Sequence, residues 1–210
     1  VTIVGSSGRA EVSDEALMMR YQRGDLSAFG DLVARHKTPL FNFVLRQVGG
    51  TGPAEDLVQE VFVRVVESAG TFKHEAKFTT WAYTIARNLC VDHHRKASYR
   101  RHASLDERDG REQGEGRSLG DQVADSHPRA STERSAISNE IQRKVVAALD
   151  ALPGEQREVF LLRQVANLPF QEIATVTGTP ENTVKSRMRY ALERLQEALT
   201  EFEEYARALR

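Results

Sequence analysis

The scarcest residue in this sequence is cysteine, and its scarcity already narrows the field. Cys90 is the only one, so no disulfide can close within the chain and a cysteine-built zinc site is not expected. Long apolar runs are missing as well. None approaches the roughly 20 residues needed to cross a bilayer, and Val1 to Ser13 lacks the basic-then-apolar pattern of a secretory leader. The expectation is a cytoplasmic protein with no membrane insertion. Net charge is nearly absent, at −1 from 29 Lys and Arg against 30 Asp and Glu. Any affinity for nucleic acid therefore has to come from local clustering. No nucleophile–base pair, paired-carboxylate site or P-loop is visible, and the one Gly-x-Gly, at 114–116, follows no strand pattern. His93-His94 is a poor metal site, because adjacent helical residues point different ways and no third ligand stands at metal spacing. A non-enzyme without cofactor or metal is expected.

What the chain does have is helical periodicity in two blocks. Residues 1–13 are small and polar and read as a disordered tail. Ser13 before Asp14-Glu15 is a helix start, and Gly24-Asp25 interrupts that helix. A second helix begins at Ser27, with Pro39 marking a bend, and ends at the Gly49–Pro53 break. The next helix carries Leu57, Val58, Val61, Phe62, Val65 and Val66 as one buried stripe. Asp56, Gln59, Glu60, Val63 and Glu67 lie on its other side. After the basic loop Thr71–Lys77, another helix is expected to turn Trp81, Ile85 and Leu89 inward. From about Ala97 to Ser135 periodicity vanishes, and Ala103–Pro128 holds seven acids against three arginines, a net −4. Such a segment cannot bury a core and reads as a flexible acidic linker. Periodicity returns at Ile137 and continues to the end of an all-α chain.

Three features point to binding. The Asp56, Gln59, Glu60 stripe suits a protein partner, although a solvated helix face carries the same pattern. Arg87, His93, His94, Arg95, Lys96, Arg100, Arg101 and His102 stand close together with Asp92 as the lone acid among them, the footprint of a phosphate-facing surface. Phe72, Phe78, Trp81 and Tyr83 beside them can stack on unpaired bases, or belong to the core. Further on, Phe170–Gly178 followed by Thr179-Pro180-Glu181-Asn182-Thr183-Val184 has the shape of a helix-turn-helix. Thr179 is placed to cap its second helix, with Pro180 in the first position. Val184 and Met188, with Leu192 or Leu195, pack inward and leave Thr183, Lys185, Ser186, Arg187, Arg189 and Tyr190 outside, a surface that can enter a major groove.

Four segments, in order, carry a family likeness: Ala54-Glu-Asp-Leu-Val-Gln-Glu-Val-Phe62, Phe78-Thr-Thr-Trp-Ala-Tyr-Thr-Ile-Ala-Arg-Asn88, Leu152-Pro-Gly-Glu-Gln-Arg-Glu-Val-Phe160, and Glu172-Ile-Ala through Thr183-Val-Lys-Ser-Arg187. The chain resembles bacterial RNA polymerase sigma factors of the two-domain, extracytoplasmic-function type. The resemblance implies a region 2 helical bundle at 14–98, a linker at 99–135, a region 4 helix-turn-helix domain at 136–203 and a tail at 204–210. It implies that Asp56, Gln59 and Glu60 dock on the beta-prime clamp helices of core polymerase, whose beta flap is a further partner. It places Lys73, His74, Lys77, Phe78, Trp81, Tyr83, Arg87, Asn88, Arg95 and Lys96 at the minus-ten element, duplex and then melted. Thr183, Lys185, Ser186, Arg187, Arg189 and Tyr190 fall at the minus-thirty-five element. An anti-sigma protein is an expected regulator, and a stress or envelope regulon the expected output. Here Leu168-Pro169 stands where many relatives have a polar cap before the helix-turn-helix. The rival of another class is a stand-alone helix-turn-helix regulator, which leaves Asp56 to Lys96 without a task.

Overall fold

The computed structural model describes residues 12–73, 75–106 and 143–208, with side chains to residue 100 in the first part and to 200 in the second. The expected N-terminal tail, His74, most of the linker, the periodicity opening at Ile137 and part of the C-terminal tail lie outside those residues. Among the described residues every regular element is helical.

Helix α1 (Asp14–Gln22) starts where the sequence predicts: the Ser13 hydroxyl accepts from the Ala16 amide at 3.2 Å. Asp25 caps α2 (Leu26–Val48), accepting from the Ser27 and Ala28 amides. The Ser27 hydroxyl and Arg20 also donate to its carboxylate, and together these bonds hold Asp25 down at about 2. α2 runs on through Pro39 and stops at Gly49, whose φ of 73° closes the last turn. The expected break is shorter than its sequence suggests. α3 (Thr51–Glu67) takes Gly52 and Pro53 into its first turn, where a missing amide hydrogen costs nothing.

A single 3₁₀ turn (Ala69–Thr71) leads to α4 (Phe78–Asp106). Gln22 of α1 pins that turn, donating to the carbonyls of Ala69 at 2.7 Å and Phe72 at 3.0 Å. Glu15 reaches across to accept from the Phe78 amide at 3.2 Å, so the shortest helix of the bundle fixes both the loop and the start of α4. Phe43, Val44, Val58, Val61, Val65, Phe78, Ala82, Tyr83 and Ala86 fill the core between α2, α3 and α4. The buried stripe of α4 is wider than the expected one: Leu89 is buried as expected, and Trp81 and Ile85 pack against the core partly covered. Val66, expected inside, is exposed.

In the second part, residues 143–150 form α5, followed by α6 (Gly154–Gln164), α7 (Phe170–Thr177) and α8 (Glu181–Ala208). Leu149 and Leu152 pack with Ala191 and Leu195 of α8, so Leu195 and not Leu192 is the inward residue. Val159, Leu162, Ile173, Val176, Val184 and Met188 form the centre of this half. The two helical domains pack on each other. α4 packs against α7 and α2 against α6, and one apolar core runs through both.

Candidate nucleic-acid interface

The helix-turn-helix geometry follows from two backbone devices. Gly178 ends α7 at φ 65°, its amide donating to the Ala174 carbonyl, and this reverses the chain toward α8. At the other end, Pro169 precedes α7 without a side-chain cap. Arg163 donates to the Leu168 carbonyl at 2.9 Å and lies 5.4 Å from the centre of the Phe170 ring, which ties down the turn leading into α7. Sequence reasoning did not single out Arg163. Its position five residues before a carbonyl in a Pro-containing turn gives no periodic signal.

Thr179 does not cap α8. Its hydroxyl bonds to that of Thr177 at 2.9 Å, and α8 opens one residue past Pro180, whose carbonyl accepts from Thr183 and Val184. The buried Thr177 hydroxyl, which also reaches the Ile173 carbonyl at 2.8 Å, draws Thr179 away from the helix end. On α8, Lys185, Ser186, Arg189 and Tyr190 are exposed and Thr183 is half-buried. Lys185 pairs with Glu181 at 2.7 Å, Arg189 lies 3.7 Å from Glu193, and its guanidinium sits 4.9 Å from the Tyr190 ring centre. Arg187 turns away from that face and donates to Glu155 of α6 at 2.5 Å.

The α4 surface divides more sharply. Phe78 and Tyr83 are core residues, 0% and 1% exposed. Tyr83 stands edge-on to Phe43 at 5.3 Å, and burial pushes its phenol upward and leaves its hydroxyl without a partner. Neither ring is open to a base in this conformation. They are large rings in the first two turns of a helix that α2, α3 and α7 cover, and burial takes them first. Trp81 packs among Phe72 and Phe78, at 5.1 and 6.1 Å, with part of its ring outside. Asn88 is exposed, and Lys73 and Lys77 project from the loop. Arg87 is largely covered and donates to Glu158 of α6 at 2.9 Å.

Beyond Asn88, Arg95, Lys96 and Arg100 surround Tyr99, which is 77% exposed, around a shallow hollow of about 440 Å³. Tyr99 escaped sequence reasoning, because an aromatic residue past the end of the apolar periodicity carries no pattern. His93 is held below its ordinary value, first by partial burial and then by His94, Arg100 and Lys96. It is a neutral member of this patch near pH 7.

On the far side of the bundle, Asp56 and Gln59 are exposed, and Glu60 pairs with Arg64 at 2.9 Å. Gln59 sits on the wall of a groove of about 810 Å³ between α2 and α3, floored by Phe29, Val33, Phe41, Phe62, Val63 and Val66. Val63, lodged among acids on the outward stripe, was the one sequence sign of this groove. Among the described residues no cluster of three His, Cys, Asp or Glu can hold a metal ion, and no helix is long and apolar enough to cross a membrane.

This layout of a groove-bearing bundle, a basic-aromatic helix and a helix-turn-helix matches known proteins over its length. Residues 32–100 match the sigma-70 region 2 family and residues 142–195 the sigma-70 region 4 family. The RNA polymerase sigma-H factor of Pseudomonas aeruginosa is 31% identical over 89% of this chain and 93% of its own. The ECF RNA polymerase sigma-E factor of Escherichia coli is 32% identical over 87% and 92%. Among solved structures, the sigma factor RpoE of Bartonella quintana, crystallised with the anti-sigma factor NepR, shares the fold with a TM-score of 0.62 at 23% identity, over 83% of this chain and 98% of its own. Both domains in family order, with relatives matched nearly end to end, place this chain in the sigma-70 family as an extracytoplasmic-function RNA polymerase sigma factor.

Proposed function

We propose that this chain is a catalytically inert, cytoplasmic promoter-specificity subunit, in which three surfaces divide the work. The α2/α3 groove, with Asp56, Gln59 and Glu60 at its side, docks on the clamp helices of core polymerase. The apolar floor supplies affinity, and the carboxylates supply register and encounter rate. Lys73, Lys77, the exposed part of Trp81, Arg87 and Asn88 capture minus-ten bases as the duplex opens. Arg95 and Lys96, continued by Tyr99 and Arg100, hold the phosphates of the duplex beside it. Thr183, Lys185, Ser186, Arg189 and Tyr190 read the minus-thirty-five element in the major groove. An anti-sigma protein is the natural regulator, since a structural neighbour was crystallised with one.

The observation that carries this reading is the presence, in one chain, of an exposed helix-turn-helix surface and a separate groove of protein-binding character. A stand-alone regulator has no use for the second. The test is assembly with core polymerase followed by run-off transcription on a genomic promoter library. Wild type should co-elute stoichiometrically with core and select promoters. Asp56→Arg with Glu60→Arg should lose co-elution and transcription at unchanged helicity, since attraction becomes like-charge repulsion costing several kcal/mol. Unchanged core affinity for that variant removes the acidic face from the mechanism.

A further inference from the structure

Helix α1 holds both stems of the loop that carries Lys73 and Lys77, and it holds each with a polar side chain. Gln22 Nε2 donates to the Ala69 carbonyl at 2.7 Å and to the Phe72 carbonyl at 3.0 Å. At the other end of the helix, Glu15 Oε1 accepts from the Phe78 amide at 3.2 Å. Only residues 73–77 stand between the two anchors. α1 is itself fixed to α2. Asp14 accepts from Arg35 at 2.9 Å and lies 2.7 Å from a ring nitrogen of His36, and Arg35 also donates to the Val12 carbonyl at 2.6 Å. The His36 ring lies 5.2 Å from that of Phe78. Phe78 is thus held at its amide by α1 and at its ring by α2. Leu17 and Met18, both buried, already seat α1 on the bundle by apolar contact. The bonds to the loop therefore set position more than adhesion.

We propose that Gln22 and Glu15 are positioning residues for strand capture. They hold the two stems of the loop at the spacing in which Lys73, Lys77 and the open part of Trp81 meet a melted strand. They act through the loop and not on the bases. The chemistry matches the task. Phe72 lies past the 3₁₀ turn, where helical donors end, and a primary amide carries two N–H groups on one nitrogen, enough for both carbonyls. An untied loop has to be ordered by the strand it binds, and that ordering lowers affinity. A loop already tied at both ends binds without that cost. The groove assigned to core polymerase lies between α2 and α3, and neither Gln22 nor Glu15 lines it. Loss of the anchors should therefore separate strand capture from assembly. This inference rests on the assignment of Lys73, Lys77 and Trp81 to the minus-ten element.

The experiment uses holoenzyme assembled from the full chain and core polymerase. Fluorescence anisotropy reports binding of a single-stranded oligonucleotide carrying the non-template minus-ten sequence of a promoter selected in the run-off library. Permanganate reports opening of the corresponding duplex. Gln22→Met keeps the length of the side chain and removes its donors. It should weaken oligonucleotide binding about tenfold, the order expected when one loop residue must be ordered on binding, and slow opening at unchanged core affinity. Val44→Ala controls for stability alone, because Val44 is fully buried in α2. Its truncation should lower the urea midpoint at least as much, with oligonucleotide affinity at the wild-type value. Wild-type affinity in Gln22→Met, or an equal loss in Val44→Ala, overturns the proposal.

If circular dichroism shows that Gln22→Met misfolds, the Glu15 pair decides. Glu15→Gln keeps a carbonyl oxygen for the Phe78 amide, and Glu15→Ala removes it. Weaker oligonucleotide binding in Glu15→Ala, with wild-type binding in Glu15→Gln, supports the anchor; equal affinities in the two overturn it. Hydrogen exchange in the free chain gives the local readout. A peptide covering 72–78 should exchange faster in Glu15→Ala than in Glu15→Gln, with α3 peptides unchanged, and the same rate in both refutes the anchor. If wild-type holoenzyme binds the oligonucleotide no better than a scrambled one, the minus-ten assignment falls first and takes the inference with it.

Discussion

Replacing Gly178 by alanine isolates the turn that aims the recognition helix. Gly178 sits at φ +65°, and a Cβ built there meets nothing within 4 Å. Any cost is therefore backbone strain and not a clash. Placing an L-residue in the left-handed region costs about 1–2 kcal/mol. Alanine also restricts the unfolded chain, which returns about 0.4–1 kcal/mol, so Gly178→Ala should destabilise the helix-turn-helix half by about 1 kcal/mol. Gly30 provides the control, because it lies inside α2 with equally open space and no positive φ. There the same exchange should stabilise by about 0.5–1 kcal/mol, since alanine is the better helix former. Gly178→Asn should fall between the two, because asparagine visits the left-handed region more easily. The assay is urea unfolding followed by far-UV circular dichroism, with the midpoint shifts read at constant slope. Equal and stabilising shifts for Gly178→Ala and Gly30→Ala would refute the left-handed turn, and with it the orientation of α8 derived above.

The remaining predictions concern DNA and protons. Asn88 is exposed and its amide can both donate and accept, so Asn88→Ala should leave core binding intact but reduce permanganate reactivity of the minus-ten strand. A pre-melted template should restore most of the lost output, and loss on both templates would point to an earlier step. Ser186→Ala and Arg189→Ala should change which minus-thirty-five sequences are tolerated in a randomised library. Arg187→Ala should leave that preference unchanged, because Arg187 turns from the reading face to Glu155 of α6. A new sequence preference in Arg187→Ala alone would mean that α8 is rotated in the groove. Glu158 makes the packing of α6 on α4 pH-dependent. Burial raises its carboxyl above the ordinary 4.5 despite the cations Arg87 of α4 and Arg187 of α8, and Glu155 on its own helix adds to the rise. Cys90 of α4, pushed up to about 12, stays a neutral thiol beside it. The packed arrangement thus holds the Glu158 proton more tightly than a chain with Glu158 in solvent. Its contribution to that packing is complete below 4.5 and fades as pH rises through the raised value. Scattering between pH 4.5 and 7 should show loosening in wild type and a flatter response in Glu158→Gln; parallel curves would exclude Glu158.

The elements of this protein were legible in its sequence because their signals are local. Ser13 caps α1, Asp25 separates two helices, Gly49 and Gly178 end others, and each acts through bonds to residues within five positions. Periodicity also placed Val58, Val61 and Val65 inside α3, and Val184 and Met188 inside α8, since a 3.6-residue repeat fixes which side chains share a face. The pattern of charges on α8 told which of its faces is outward for the same reason. Local pattern does not say how many neighbours a helix has. α4 is covered by α2, α3 and α7 together, so Phe78 and Tyr83 went to the core while Trp81 and Ile85 stayed at its margin. Val63 and Val66, equivalent to core residues by composition, became the floor of a groove because α2 does not close over them. Thr179 lost its capping role to a hydroxyl two residues away that only the buried turn brings within reach. The pairing of Arg87 with Glu158 spans 71 positions, and that of Thr80 with Glu172 spans 92. A sequence shows that such charges exist, but which carboxylate meets which cation is decided only when two helices dock.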